Sequence, residues 1–214
     1  MSASAERTSR RARRRRLGQN FLRSESAERL VALAGFRPGD FVLEIGPGTG
    51  AFTAALARRR VQVLAVEFDP VLAARLRARP ELRDSVRVVH GDAVSIALPD
   101  RPFRAIGSLP FGRTTDVLRR LLDDPRGRLV RADVVVQWEV ARKRTAVPPT
   151  SLLSAQWAPW WEFTLACRVP ADAFTPVPRV DAGFVSVVRR PRPLLPAAMV
   201  RPYARFVRAH WPFG

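Results

Sequence analysis

The stretch Phe41-Val-Leu-Glu-Ile45-Gly46-Pro-Gly48-Thr-Gly50 decides the fold of this 214-residue chain. Its first five residues form an apolar run of the length of a buried strand. Three glycines at alternate positions then supply positive φ and let a ligand approach the backbone. Ala51–Arg60 continues as a helix. Strand, glycine loop and helix in that order open a parallel α/β sheet, which binds ligands at the carboxyl ends of its strands.

Outward from this loop the alternation persists. Val61–Glu67 is a second strand and Pro70–Arg79 a second helix, opened by a proline whose missing N–H costs nothing in a first turn. Val86–His90 and Phe103–Gly107 are further strands, Thr115–Leu122 is a helix, and Val134–Trp138 is a fifth, β-branched strand. Then the pattern changes. Trp160–Val169 and Gly183–Val188 both read as strands, and the proline-rich link between them holds no convincing helix, so they pair antiparallel. Met199–His210 can form one last helix. The expected fold is α/β and Rossmann-like: a mostly parallel seven-stranded sheet with an antiparallel final strand and a reduced helical C-terminus. The expected organisation is a basic disordered tail over 1–16, a Rossmann-like domain over 17–192, and the remnant or start of a further helical domain over 193–214.

A glycine-rich loop alone says little about the ligand. Glu67, however, closes the second strand 21 residues after Gly46, near the ~20-residue interval at which an acid meets a ribose diol. Gly-x-Gly-x-Gly preceded by Glu44 suits S-adenosylmethionine better than a dinucleotide, whose fingerprint is Gly-x-Gly-x-x-Gly around a pyrophosphate. Asp92, in Val-Val-His-Gly-Asp92-Ala after the third strand, stands where a carboxylate accepts a hydrogen bond from the cofactor's adenine amine. On its own it would be a turn or cap aspartate; as third in an ordered series at strand ends it is read as part of the site.

Three further motifs carry a family resemblance: Gly18-Gln19-Asn20-Phe21-Leu22, Ser108-Leu109-Pro110-Phe111, and Phe174-Thr-Pro176-Val-Pro178-Arg-Val180-Asp181. Over residues 18 to about 190 the chain resembles the erythromycin-resistance (Erm) rRNA adenine N6-methyltransferases, and more distantly the small-subunit rRNA dimethyladenosine methyltransferases. The resemblance implies the S-adenosylmethionine-dependent methyltransferase fold. It also implies cofactor contacts from Asn20, Leu22, Gly46, Glu67, Asp92 and Ser108. It places the target base at Ser108, Leu109, Pro110 and Phe111, with Phe174 on the base's other side. The implied activity is methylation of adenine N6 in 23S rRNA, with resistance to macrolides, lincosamides and streptogramin B.

The residue types suit that chemistry. An exocyclic adenine amine is conjugated with its ring and is a poor nucleophile. Acceptors aimed at its hydrogens, a side-chain oxygen at 108 and the Leu109 carbonyl, favour a more tetrahedral nitrogen. Pro110 restricts the backbone that presents this carbonyl, and Phe111 offers a face to a flipped-out base. Two departures from the family stand out. Position 108 is Ser where the family has Asn, so its shorter side chain admits methylation of another RNA or DNA amine, or a weakly catalytic RNA-binding protein. About two dozen residues follow Arg190, where Erm-like enzymes continue into a helical C-terminal domain; the expectation is a reduced domain or a truncated form.

Composition agrees with an RNA partner. The chain has 37 Lys and Arg against 19 Asp and Glu, a net charge of +18, which marks a polyanionic partner. Residues 1–16 hold seven arginines and one glutamate, a pattern of phosphate neutralisation in a tail too polar to fold alone. A membrane fits less well, because no apolar run approaches the ~20 residues of a spanning helix. The arginine-rich start lacks the apolar run of a signal peptide, and a mitochondrial transit peptide is the disfavoured reading of it. A single cysteine, Cys167, points to a reducing cytoplasm and to an inert buried thiol. His90 and His210 stand far apart, so no metal is expected, and the chain is expected to act as a monomer. Trp157, Trp160 and Trp161 read as packing beside the last strands, whereas Arg142, Lys143 and Arg144 read equally as an RNA contact or a solvated helix face.

Overall fold

The computed structural model describes residues 20–110 and 112–211. The basic tail, Gly18, Gln19 and Phe111 lie outside those residues. Nine strands are present among them: β1 (Phe21–Leu22), β2 (Phe41–Ile45), β3 (Gln62–Glu67), β4 (Val86–His90), β5 (Phe103–Ser108), β6 (Leu129–Gln137), β7 (Trp161–Val169), β8 (Phe174–Thr175) and β9 (Ala182–Arg189). The described helices are α1 (Ser24–Ala34), α2 (Ala51–Ala57), α3 (Pro70–Arg77), α4 (Thr114–Leu122), α5 (Trp138–Thr145), α6 (Leu152–Trp157) and α7 (Val200–Ala209).

Seven strands form one sheet in the order β4-β3-β2-β5-β6-β9-β7. The strand β9 runs antiparallel to both neighbours, β6 and β7, and the rest of the sheet is parallel. The expected seven-stranded sheet with its antiparallel final strand is therefore the one observed. The chain builds outward from β2 through β3 to β4, then returns to place β5 on the other side of β2. That reversal is the switch point at which open α/β sheets form their ligand crevice. Register does the rest: Ile45 lies opposite Val66 on one side and Gly107 on the other. Gly46, Glu67 and Ser108 consequently leave the sheet at one common edge.

Two apolar layers sandwich the sheet. On one face Val31 of α1 and Leu56 of α2 pack with Val42 and Ile106; on the other Leu118 of α4 packs with Leu43, Val134 and Trp161. Two indoles hold the C-terminal end of α4, Trp157 Nε1–H donating to Asp123 and Trp161 Nε1–H to the Leu122 carbonyl, at 2.8 and 3.0 Å. All three tryptophans read as packing residues are buried. α7 lies against α6, with Tyr203 edge-on to Trp160 at 5.9 Å.

The structure corrects several boundaries. α2 ends at Ala57 and turns through Arg60, which has φ 55°, while α3 ends at Arg77. β6 begins at Leu129 rather than Val134, and Trp138 opens α5 instead of closing the strand. The reason is an ion-pair network that takes charged residues into the strand. Asp133, fully buried, accepts from Arg104 at 3.1 Å, Arg131 at 2.7 Å and the Ser186 hydroxyl at 2.7 Å. Arg104 also donates to the Ala34 and Gly35 carbonyls, which fastens the end of α1 to the sheet. α1 and α6 were not anticipated, although the buried Ala27, Leu30, Val31 and Ala34 have helical spacing and Gly35 closes α1 at φ 66°.

Candidate active site

The glycine loop follows directly from strand β2. Gly46, Gly48 and Gly50 have φ of 64°, 59° and 87°, values that side chains with a Cβ adopt only at a cost. Gly48 is further constrained by packing, since a Cβ there would lie 2.7 Å from Cδ1 of Phe21. Above Gly46 the equivalent position meets nothing within 4 Å, so the loop is open to a ligand at that point. The loop is tied to the end of β3 through Glu67, whose Oε2 accepts from Gly48 N–H at 2.8 Å. Its Oε1 accepts from Asp69 N–H, also at 2.8 Å. Burial pushes the Glu67 carboxyl up from its ordinary value, and the Asp69 and Gly48 amides partly restrain it. Each oxygen keeps a lone pair for a further donor.

Glu44, the acid that precedes the glycines, has a different fate. It is fully buried and does not line the cleft. Both its carboxyl oxygens and the Thr53 hydroxyl lack hydrogen-bond partners among the described residues. Loss of water pushes its pKa from 4.5 to about 8, against the pull of the nearby Thr53 hydroxyl and amide and with a further push from the Glu67 charge.

Asp92 both caps a turn and lines the cleft. Its Oδ1 accepts from Val94 N–H at 2.9 Å, a turn-capping contact, while its Oδ2 faces Arg113 at 3.0 Å on the cleft wall. The Val94 amide first and the Arg113 guanidinium second hold its carboxyl below the usual range. Arg113 was missed in the sequence, and so was Phe68, whose ring lies on the cleft beside Glu67 and is 58% exposed. An aromatic directly after a strand-ending acid is a usable signal; one more arginine in so basic a chain is not.

Ser108 ends β5 on the same wall, and Leu109 N–H donates to Val135 of β6 at 3.0 Å. The Pro110 carbonyl closes the following turn, accepting from Arg113 N–H at 2.9 Å and from the Thr114 hydroxyl at 3.1 Å. No described residue donates to the Leu109 carbonyl, and the Ser108 hydroxyl has no partner among the described residues. Across the cleft, β1 and β8 form a two-stranded antiparallel ribbon pairing Leu22 with Phe174. Asp181 supports the segment that leads into it, accepting from Ala171 N–H at 2.8 Å. Asn20, Leu22 and the buried Phe174 line the cleft. Of the residues expected at the site, the structure brings together all those it describes; Phe111 lies outside the described residues.

The cleft's chemistry fits S-adenosylmethionine. A buried carboxylate with spare lone pairs suits sugar hydroxyls and a second carboxylate suits an amine. Ile45, Val66 and Phe68 provide apolar surface for a flat heterocycle.

Comparison with known proteins gives the same direction. The family model for ribosomal RNA adenine dimethylase matches residues 10–211. The mycinamicin-resistance protein MyrB of Micromonospora griseorubida is 41% identical over 91% of this chain and 62% of its own length. An rRNA adenine N-6-methyltransferase of Corynebacterium diphtheriae is 38% identical over 84% of this chain and 70% of its own. The crystal structure of the 23S rRNA methyltransferase ErmE superposes with a TM-score of 0.79 at 36% identity, covering 88% of this chain and 78% of that one. The chain thus spans less than two thirds of MyrB's length. With a family model matched along nearly its whole length, the chain belongs to the ribosomal RNA adenine dimethylase family.

Proposed function

We propose that the chain transfers a methyl group from S-adenosylmethionine to the exocyclic N6 of an adenine in 23S rRNA, and that this modification confers macrolide-lincosamide-streptogramin B resistance. The observation that carries the reading is the pair of free acceptors, Ser108 Oγ and the Leu109 carbonyl, on the wall of the cleft that also holds Glu67. The cofactor supplies an electrophilic methyl on a sulfonium. Glu67 would hold its ribose hydroxyls, Asp92 its adenine amine, and Asn20, Leu22 and Gly46 its remaining contacts. Ser108 and Leu109 accept from the two hydrogens of the target amine and turn its lone pair toward the methyl. Phe111 and Phe174 bracket the base, and Pro110 fixes the turn that presents the carbonyl. No strong base is required, because methylation would leave the positive charge on N6 and so acidify its proton, which could pass to water; positioning supplies most of the rate.

In this reading the segment 193–214 is the remnant or start of a helical RNA-binding domain, and the 1–16 tail adds phosphate contacts. The protein acts as a monomer in the cytoplasm, without a metal. No described helix is long and apolar enough to cross a membrane.

The test is methyl transfer from labelled cofactor to naked large-subunit rRNA, followed by mapping of the modified base. Ser108→Ala should lower kcat by about tenfold to a hundredfold while cofactor and RNA affinity stay near the parent's, and Ser108→Asn should keep or raise activity. A label found on cytosine, or no label from the parent chain, overturns the proposal.

A further inference from the structure

Helix α4 connects two clefts. Arg113 and Val117, at its start, line the cleft described above, while Arg119, Arg120 and Asp123 at its other end wall a second groove whose opposite bank is α7. The helix has nine residues, so the two openings are separated by about 13 Å along its axis.

The second groove is lined by Arg119, Arg120 and Arg126 from the α4 side and by Arg201, Arg205 and Arg208 from α7. Asp123 and Asp124 are the acids that face them there. Asp124 is consumed by Arg126, which grips it through two bonds of 2.9 and 3.0 Å. Asp123 accepts from Trp157 at 2.8 Å and lies 3.7 Å from Arg119. Arg120 donates to the Ile96 carbonyl. The side chains of Arg201, Arg205 and Arg208 make no hydrogen bond or ion pair among the described residues.

These three arginines stand at i, i+4 and i+7, one stripe along α7 about 10 Å long. Tyr203 and Val207, on another face of the helix, anchor it to the body, so the stripe is held in place. Like charges at this spacing destabilise a helix, and the fold gains nothing visible from them. Behind the groove, Arg144 lies over the Trp157 ring at 5.5 Å and is held below its usual pKa first by burial and then by Arg119. A row of phosphates would turn the repulsion along the stripe into attraction.

We infer that this groove is a second RNA contact, which holds the phosphodiester backbone of the substrate at a point displaced from the methyl-transfer cleft. The inference rests on the function proposed above. Trp157 and Trp160 are each 3% exposed, so they offer no stacking face, and the grip is one of charge. It contributes affinity and orientation without choosing a base. The arginines sit in a concavity, which suits a phosphate chain better than the flat surface of an anionic bilayer.

The experiment uses the full chain carrying R201Q/R205Q/R208Q, with R201K/R205K/R208K as the charge-preserving control and naked large-subunit rRNA as probe. Thermal melting confirms that both variants fold. The log–log salt slope of RNA binding should fall by about two to three in the Gln variant, at ~0.7–0.9 per phosphate contact. KM for RNA should rise about tenfold at physiological salt, with kcat at saturating RNA and cofactor affinity at parent values. The Lys variant should retain the parent slope. An unchanged slope in the Gln variant, while the parent binds and methylates rRNA, overturns the groove alone. So does a loss of binding to phosphatidylglycerol vesicles in the Gln variant with RNA binding intact. A parent chain that binds no rRNA overturns the function and the groove together.

Discussion

At Glu67 burial and the proposed hold on the cofactor fall to one carboxylate. Replacing it by Ala removes a charged acceptor worth ~1.5–3 kcal/mol, so S-adenosylmethionine affinity measured by calorimetry should fall by about tenfold or more. The accepting form is the deprotonated one, and burial has moved the carboxyl above its ordinary 4.5. Affinity should therefore decline as pH falls through that raised value, earlier than an exposed glutamate would cause. Glu44 makes the opposite demand, on stability. Its folded pKa of about 8 lies above the ordinary 4.5, so between these values the folded chain holds a proton that the unfolded chain has released. Stability must fall as pH rises through that window. Glu44→Gln should leave Tm nearly unchanged at pH 4, below that window, and raise it by roughly 3 °C or more at pH 9, each kcal/mol being worth ~2–4 °C in a chain of this size. The positions of Gly46, Glu67 and Asp92 were legible because strand-ending acids and a glycine loop leave a local pattern. The separate fates of Glu44 and Glu67, one sealed under the loop and one lining the cleft, were not, because burial depends on neighbours far away in sequence.

Among the elements, β2, β3 and β5 could be read from apolar runs alone, and their common edge follows from register. β6 could be read only in part, because Arg131 and Asp133 interrupt its apolar pattern and make sense only beside Arg104 and Ser186 of neighbouring strands. Removing the shared anion would leave two arginines facing a buried void. Asp133→Ala should cost about 3 kcal/mol in urea unfolding, a larger loss than Arg131→Ala, since Arg131 is partly exposed. The β1–β8 ribbon lay furthest from the reach of sequence. Both motifs were assigned to the site, but nothing in two-residue strands announces that Leu22 faces Phe174.

For the whole molecule, two concentrations of arginine stand out: the groove beyond α4 and the 1–16 tail, which lies outside the described residues. The tail has seven arginines and one glutamate. Deleting residues 1–15 should leave cofactor affinity intact, weaken RNA binding, and reduce its salt slope; a slope unchanged by the deletion would assign the tail no phosphate contact. The fold class was legible because α/β alternation is a long-range rhythm, whereas the second groove was not, because it arises from helices that meet only after folding. The β1–β8 ribbon has a further consequence, for synthesis on the ribosome. The glycine loop and the strands beside it emerge early, but the cleft lacks one wall until Phe174 has left the exit tunnel and paired with Leu22. Each new copy therefore has Gly46, Glu67 and Asp92 in hand before it has the wall that Phe174 completes.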